Sequence, residues 1–432
     1  MKATTHEPCL YSTNNYANTG KKILFLRQVD NFAVACEDKE TALRVIKEIN
    51  DKMTIEVKQL GQITRFNGID ILQTRDYVKL SNQTYINKIV SKHPWIKDMT
   101  PLHATKPIPI NPDPKFQRQL ELCEPASPAE LQQLEKKYKF KYRQAIGEMI
   151  YAMVTCRPDL SYAIIKLSQY STRPAETHFK AVQQVYQYLY QTKNDGIYYW
   201  RSTPRHDLPS VPAPQLQHDD NYDYNESSER QVNQPSILNS AVDSDYAGDH
   251  SHRKSVTGLT IQLAGGAIVY KTRFQDTIAL SSTEAKFTAA AEAGKFILYV
   301  RSIVEELGIP QRYATTLYED NQGAILMANA QQPTKRTRHM DIKTFALQEW
   351  CEQDLLILHK IHTQHNWADA LTKAQGRVLF YRHMHHIMGR LKPAYVTNVV
   401  PTISITRRKH AIGGGCDNID ILPNTTGIDI DT

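Results

Sequence analysis

Between Ser240 and Gly389 the hydrophobic pattern changes period several times, and the order of those changes admits few folds. Ala241 to Asp243 closes a short strand. Leu259, Ile261 and Leu263 alternate, Gly265-Gly266 turns the chain, and Ile268 and Tyr270 alternate back. Thr277 to Leu280 reads as a further strand running into Ser281, and a long helix then extends to about Leu307. Its buried side can draw on Phe287, Ala290, Ala291, Ile297, Leu298, Val304 and Leu307, and Gly308 and Pro310 end it. Thr315 to Tyr318 makes the next strand, which stops at Asp320 before a short helix. A helix over about Asp341 to Glu352, a strand over Leu355 to Ile361 and a helix starting near Trp367 complete the run. Such an order describes a mixed five-stranded sheet with helices packed on it.

The rest of the chain divides by composition. Residues 1–100 mix strand-like and helical runs, and KILFLRQVDNFAVAC (Lys22 to Cys36) reads as a β-hairpin with Asp30 and Asn31 at its turn. Val78 to Leu80 reads as a strand, and a helix starts with Tyr85 to Val90. Residues 101–202 begin with a connector carrying Pro101, Pro107, Pro109, Pro112 and Pro114, then turn helical from Tyr142. In the helix opened by Thr177, Phe179, Val182, Val185, Tyr186 and Leu189 share one face, the spacing of a core stripe. Residues 203–236 hold few aliphatic side chains and are expected to be a polar linker or insertion. Residues 237–390 carry the five-stranded pattern, and 391–432 read as a disordered tail. The whole is expected to be a multidomain α/β (α+β) protein, and its 432 residues are enough for two to three domains.

Several function classes are disfavoured at once. No run of eighteen apolar residues suggests a membrane span, and the first residues lack the apolar core of a signal peptide. The six cysteines are scattered without metal-site spacing and read as reduced thiols. An intracellular protein, in cytoplasm or nucleus, is the expectation. A net charge of +7 permits a polyanionic partner without requiring one.

Four acidic residues fall at element ends: Asp243, Glu284, Asp320 and Asp369. Hard divalent cations need oxygen ligands, and a pair of them about 4 Å apart needs carboxylates from several elements. Singly, each residue also has a plainer explanation. Glu284 stands three residues after Ser281, as in a capping box, and Asp320 could cap the helix that follows it. Asp245 and Asp249 could be turn residues on a solvated edge.

The stretch AVDSDYAGDHSHRKSVTG resembles the opening of a copia-type retrotransposon ribonuclease H, with its D-x-D-aromatic-A-G-D run and R-K-S-x-T-G turn. ALSSTEAKFTAAAEA, LYEDNQGAI, TRHMDIKTF and ADALTK resemble the family's following blocks in the same order. The resemblance implies a ribonuclease H-like five-stranded mixed sheet that uses two Mg²⁺ ions, with Mn²⁺ as a substitute. It would place the metal ligands at Asp243, Glu284, Asp320 and Asp369, which would also be the catalytic residues. The chain departs from the family at Lys286, where an acidic residue usually follows T-E-A; a surface change is the expectation. His362 and His365 lie near Asp369 in sequence, without clearly supplying the histidine found in many ribonucleases H. The basic run Lys335, Arg336, Arg338 with His339 is a candidate phosphate contact or a solvated loop.

The upstream region resembles the same polyprotein. QVDNFAVAC stands where the family's reverse transcriptase has its Y-V-D-D turn, so Asp30 and Asn31 read as a vestigial polymerase site in which Asn31 has replaced a carboxylate. The resemblance further implies that the fingers and another metal-binding aspartate would precede Met1, leaving a truncated palm/thumb remnant without polymerase activity. YRQAIGEMIYAMVTCRPDLSYAIIKLSQYSTRPAETHFKAVQQVYQYLYQT resembles the helical thumb and connection region. The implied function is metal-dependent hydrolysis of the RNA strand of RNA–DNA hybrids. The alternative is a catalytically dead remnant that at most binds nucleic acid.

Overall fold

The structure, a computed structural model, describes residues 1–54, 57–58, 60–102, 107–213, 236–248, 253–329 and 341–392, the side chains of 341–344 excepted. The expectations for Lys335, Arg336, Arg338, His339 and Asp249, and for nearly all of the tail, lie outside those residues.

Strands β1 (Lys2–Ala3), β2 (Leu10–Tyr16), β3 (Lys21–Gln28) and β4 (Asn31–Cys36) form an antiparallel sheet in that order. Gln28 pairs with Asn31, so the turn residues are Val29 and Asp30, one position earlier than expected. Val29 has φ +55°, a region β-branched residues rarely enter, because a two-residue turn between twisted strands needs a positive φ. Helix α1 (Lys39–Asn50) follows, capped by Asp38, whose carboxylate accepts from the Thr41 backbone N–H at 2.8 Å.

A second sheet contains β5 (Arg65–Phe66), β6 (Ile69–Gln73) and β7 (Tyr77–Ser81), the last leading into α2 (Gln83–Lys92). Helices α3 (Pro114–Leu122), α4 (Pro128–Tyr138), α5 (Tyr142–Cys156), α6 (Ser161–Ser168) and α7 (Glu176–Gln191) come next, before β8 (Gly196–Trp200) returns to pair with β7. The stripe of α7 is buried throughout, as its spacing predicts. Residues 203–213, the start of the expected linker, are tied to the second sheet: Arg75 N–H donates to the Pro209 carbonyl and Arg205 N–H to that of Arg75, both at 2.9 Å.

The third sheet uses β9 (Asn239–Asp245), β10 (Val256–Leu263) and β11 (Gly266–Phe274), all antiparallel, and β12 (Thr315–Glu319) and β13 (Leu356–Lys360), parallel to β9. Its strand order is β11-β10-β9-β12-β13, a mixed five-stranded sheet with β9 at the centre. The connecting helices are α8 (Ser282–Glu306), α9 (Gln322–Ala328) and α10 (Asp341–Glu352), and a 3₁₀ turn (Trp367–Leu371) precedes α11 (Arg377–Ile387).

Thr277 to Leu280 does not form the strand expected for it. Ile278 and Leu280 are exposed, and Gln275 instead stitches this corner to α8 by donating to the Ala285 carbonyl at 2.9 Å. Alternation along β9 and β12 serves two cores. Val242 and Leu317 pack with α8, α9 and α10, while Ala241 and Tyr318 pack with the helices α5 to α7 and α11. No helix among the described residues is long and apolar enough to cross a membrane.

Candidate carboxylate site

Asp243 is the fifth residue of the central strand β9 and is almost fully buried. Opposite it on β10 stands Gly258, where a Cβ would come within 2.6 Å of Thr372 Cγ2 and 2.8 Å of Leu371 Cβ. A glycine there lets the 3₁₀ turn press against the strand. Asn366 fixes that turn: its amide donates to the Val242 carbonyl at 2.9 Å, and its carbonyl oxygen accepts from Ala368 N–H. Asp369 is thereby brought beside Asp243. Asp320 follows the last residue of β12, and Asn321, not Asp320, caps α9 by accepting from Ala324 N–H at 2.9 Å.

Asp243, Asp320 and Asp369 converge, each offering a carboxylate oxygen within 4.8 Å of the others. Glu284 is not brought into the group. It lies in the first turn of α8, where its carboxylate accepts from Leu280 N–H at 2.8 Å and its own N–H donates to Ser281 Oγ at 3.1 Å. The helix explains why: two residues further on is about 200° round the axis, so Lys286 faces the carboxylates instead.

Lys286 is therefore no surface change. Its side chain is only 13% exposed, and its Nζ lies 2.5 Å from Asp243 Oδ1 and 3.8 Å from Glu319 Oε1, with a further ion pair to Asp320 Oδ1. On the other side, Lys373 pairs with Asp369 at 2.8 Å, and the Thr372 hydroxyl donates to Asp243 Oδ2 at 2.5 Å. Sequence reasoning passed over Glu319, Thr372 and Lys373. The adjacent acids of Glu319-Asp320 and the lysine after Asp369 were the available signals.

These contacts set the charge states. Burial would lift Asp243 above the ordinary carboxylate range, but Lys286 and Lys373 outweigh it and hold the group low. Asp320 is likewise held down by Lys286 against its burial. Burial, reinforced by the Asp243 charge, pushes Asp369 up, and Glu319 is raised well up, by burial first. Burial would lower Lys286, yet the charges of Asp243, Glu319 and Asp320 raise it overall. Two ammonium groups, Lys286 and Lys373, thus sit among these carboxyl groups.

The donor chemistry, three carboxylates on three elements, is that of a hard divalent ion. The position between Asp243 and Asp320 does not fit one as it stands, because the Lys286 ammonium holds it. His362 and His365 lie outside the converging group, on the short turn before Asn366. Asp30 and Asn31 sit exposed at the β3–β4 hairpin tip, also outside it.

No family model matches the chain. It is 28% identical over 391 residues to the retrovirus-related Pol polyprotein from transposon TNT 1-94 of Nicotiana tabacum, covering 88% of the chain and 26% of that protein. With the Pol polyprotein from transposon RE1 of Arabidopsis thaliana it shares 25% over 366 residues, 84% of the chain and 21% of the relative. It therefore spans about a quarter or less of these relatives' length. A solved ribonuclease H1, LC11-RNase H1 isolated from compost, covers 32% of the chain at 13% identity with a TM-score of 0.25, too low a score to build on. Along most of its length the chain is thus similar to retrovirus-related Pol polyproteins of transposons, as a fragment of such a polyprotein would be.

Proposed function

We propose that residues 237–390 are the ribonuclease H module of such a polyprotein, with an RNA–DNA hybrid as its partner. By its carboxylates the module belongs to the class that hydrolyses the RNA strand with Mg²⁺, or Mn²⁺ in its place. The observation that carries this reading is the convergence of Asp243, Asp320 and Asp369 from a central strand, a strand end and a 3₁₀ turn. Hybrid recognition would rest on phosphates, 2′-hydroxyls and groove shape, and so carry little sequence preference. Residues 1–100 we read as reverse-transcriptase-like palm/thumb sequence and 101–202 as connector and helical thumb or connection region. There Asp30 and Asn31 keep the place of the polymerase turn without its paired carboxylates.

A second reading, in which the module binds hybrid and leaves it uncut, is favoured by one observation: Lys286 occupies the space between two of the three carboxylates. The test uses the full chain and a labelled hybrid. Binding is measured in EDTA and cleavage in Mg²⁺ or Mn²⁺, beside Asp320→Asn. Preferential hybrid binding with cleavage that Asp320→Asn abolishes supports the hydrolase; binding without cleavage supports the second reading. Absence of any preference for hybrid over duplex DNA contradicts both.

A further inference from the structure

We propose that Lys286 is the resident cation of this site, taking the place between Asp243 and Asp320 that a divalent ion would occupy. The inference rests on reading the cluster as a ribonuclease H-type carboxylate site, and of the two readings above it sides with the second, hybrid binding without cleavage. Its basis is steric and electrostatic. A Mg²⁺ ion held by one oxygen of each aspartate would sit about 2.1 Å from both. The Lys286 Nζ already lies 2.5 Å from Asp243 Oδ1 and is ion-paired to the facing Asp320 Oδ1. Both cations cannot be there together.

Displacement of the lysine is also disfavoured. Its side chain is largely buried, and it is anchored on the second turn of a helix whose next residue, Phe287, is fully buried. The tether keeps the ammonium at high effective concentration, whereas a divalent ion must arrive from solution and shed water. An entering ion would send the lysine toward solvent and break two buried ion pairs. Lys286 also supplies from within the chain a positive charge beside the buried Asp243 and the neighbouring Asp320. Exchanging it for glutamate would move the formal charge of the cluster by two units and add an oxygen-bearing side chain at the position that faces Asp243 and Asp320.

The experiment measures Mn²⁺ binding to the full chain by calorimetry and by loss of the free-ion spin-resonance signal. Wild type, Lys286→Glu, Lys286→Gln and Lys286→Glu/Asp320→Asn are compared. Wild type is expected to show no Mn²⁺ site that depends on Asp320. Lys286→Glu is expected to bind at least tenfold tighter, and adding Asp320→Asn removes the gain. Because Lys286→Glu could fail to fold without metal, thermal melts of wild type and the neutral Lys286→Gln are run with EDTA and with Mn²⁺. The expected pattern is a Mn²⁺-induced rise for Lys286→Gln and none for wild type. An Asp320-dependent Mn²⁺ site in wild type, as tight as that of the variants, overturns the proposal. Hybrid binding in EDTA, measured on the same samples, reports on the ribonuclease H reading separately, since no ion is involved.

Discussion

Arg157 offers a quantitative test of what holds the helical region together. Its side chain and that of Asp159 are both 0% exposed. The guanidinium donates to Asp159 through Nε at 2.9 Å and Nη2 at 2.6 Å, and to the Thr192 carbonyl and hydroxyl at 3.2 and 2.6 Å. The Tyr188 hydroxyl donates to the same carboxylate at 2.5 Å. The network thus ties the end of α5 to the end of α7. Arg157→Met removes the paired cation and leaves the buried Asp159 with the Tyr188 hydroxyl and the Arg390 charge, a loss of about 3–5 kcal/mol. Arg157→Met/Asp159→Leu, which removes both charges, should cost less than the single change. The deficit should also depend on pH. In wild type, burial of Asp159 is outweighed by Arg157, so its folded pKa lies below the unfolded one. That contribution is present above the unfolded value and is lost as pH falls through the folded one. Without Arg157, burial is opposed only by the Tyr188 hydroxyl and the Arg390 charge and raises the folded pKa, so stability is lost as pH rises; the deficit therefore widens from about pH 4 to pH 7. Urea unfolding followed by tryptophan fluorescence measures both effects. A loss below about 1 kcal/mol for Arg157→Met, where a buried pair is broken, or a double change costing more than the single, would refute the reasoning.

Three further outcomes are expected. Val29→Asn should stabilise the chain by about 0.5–1 kcal/mol, since asparagine tolerates the left-handed turn conformation that valine resists; an unchanged urea midpoint would count against strain there. Gly258→Ala should cost about 1–3 kcal/mol by driving a methyl into Thr372 and Leu371, and it should shift the NMR signals of the Trp367–Leu371 turn. His383 is fully buried, and burial pushes its pKa down from 6.5 to about 3. A base with a lowered folded pKa keeps its full contribution above the unfolded value and loses it as pH falls between the two. Going from pH 7.5 to 5 should therefore cost about 2 kcal/mol, a loss that His383→Gln should not show.

The element order of the third sheet was legible because its strands and helices have different periods. Leu259, Ile261 and Leu263 alternate, while Phe287, Ala290, Ala291 and Ile297 recur at helical spacing, and both sets are buried or partly buried as that patterning requires. Thr277 to Leu280 imitates a strand by alternation alone. Nothing local reveals that β11 has already ended and that Gln275 anchors the corner. The three converging aspartates were singled out as element-end acids in the order of the resembling motifs, but only Asp320 stands at an element's end: β9 runs two residues past Asp243, and Asp369 lies inside the 3₁₀ turn. Glu284 and Lys286 were not told apart, because which residue of a helix faces a site depends on how the helix lies against the sheet, and the cap at Ser281 sets that rotation. A lysine on the polar stretch of a helix looks solvated in sequence. Only the positions of Asp243 and Asp320, 43 and 34 residues away, make it an internal cation.

The most direct test of that assignment is an anomalous diffraction map of wild-type crystals soaked in Mn²⁺. The expected map has no peak between Asp243 and Asp320, with the Lys286 ammonium within hydrogen-bond distance of both carboxylates. A Mn²⁺ peak ligated by the two aspartates, with Lys286 turned out to solvent, would contradict it.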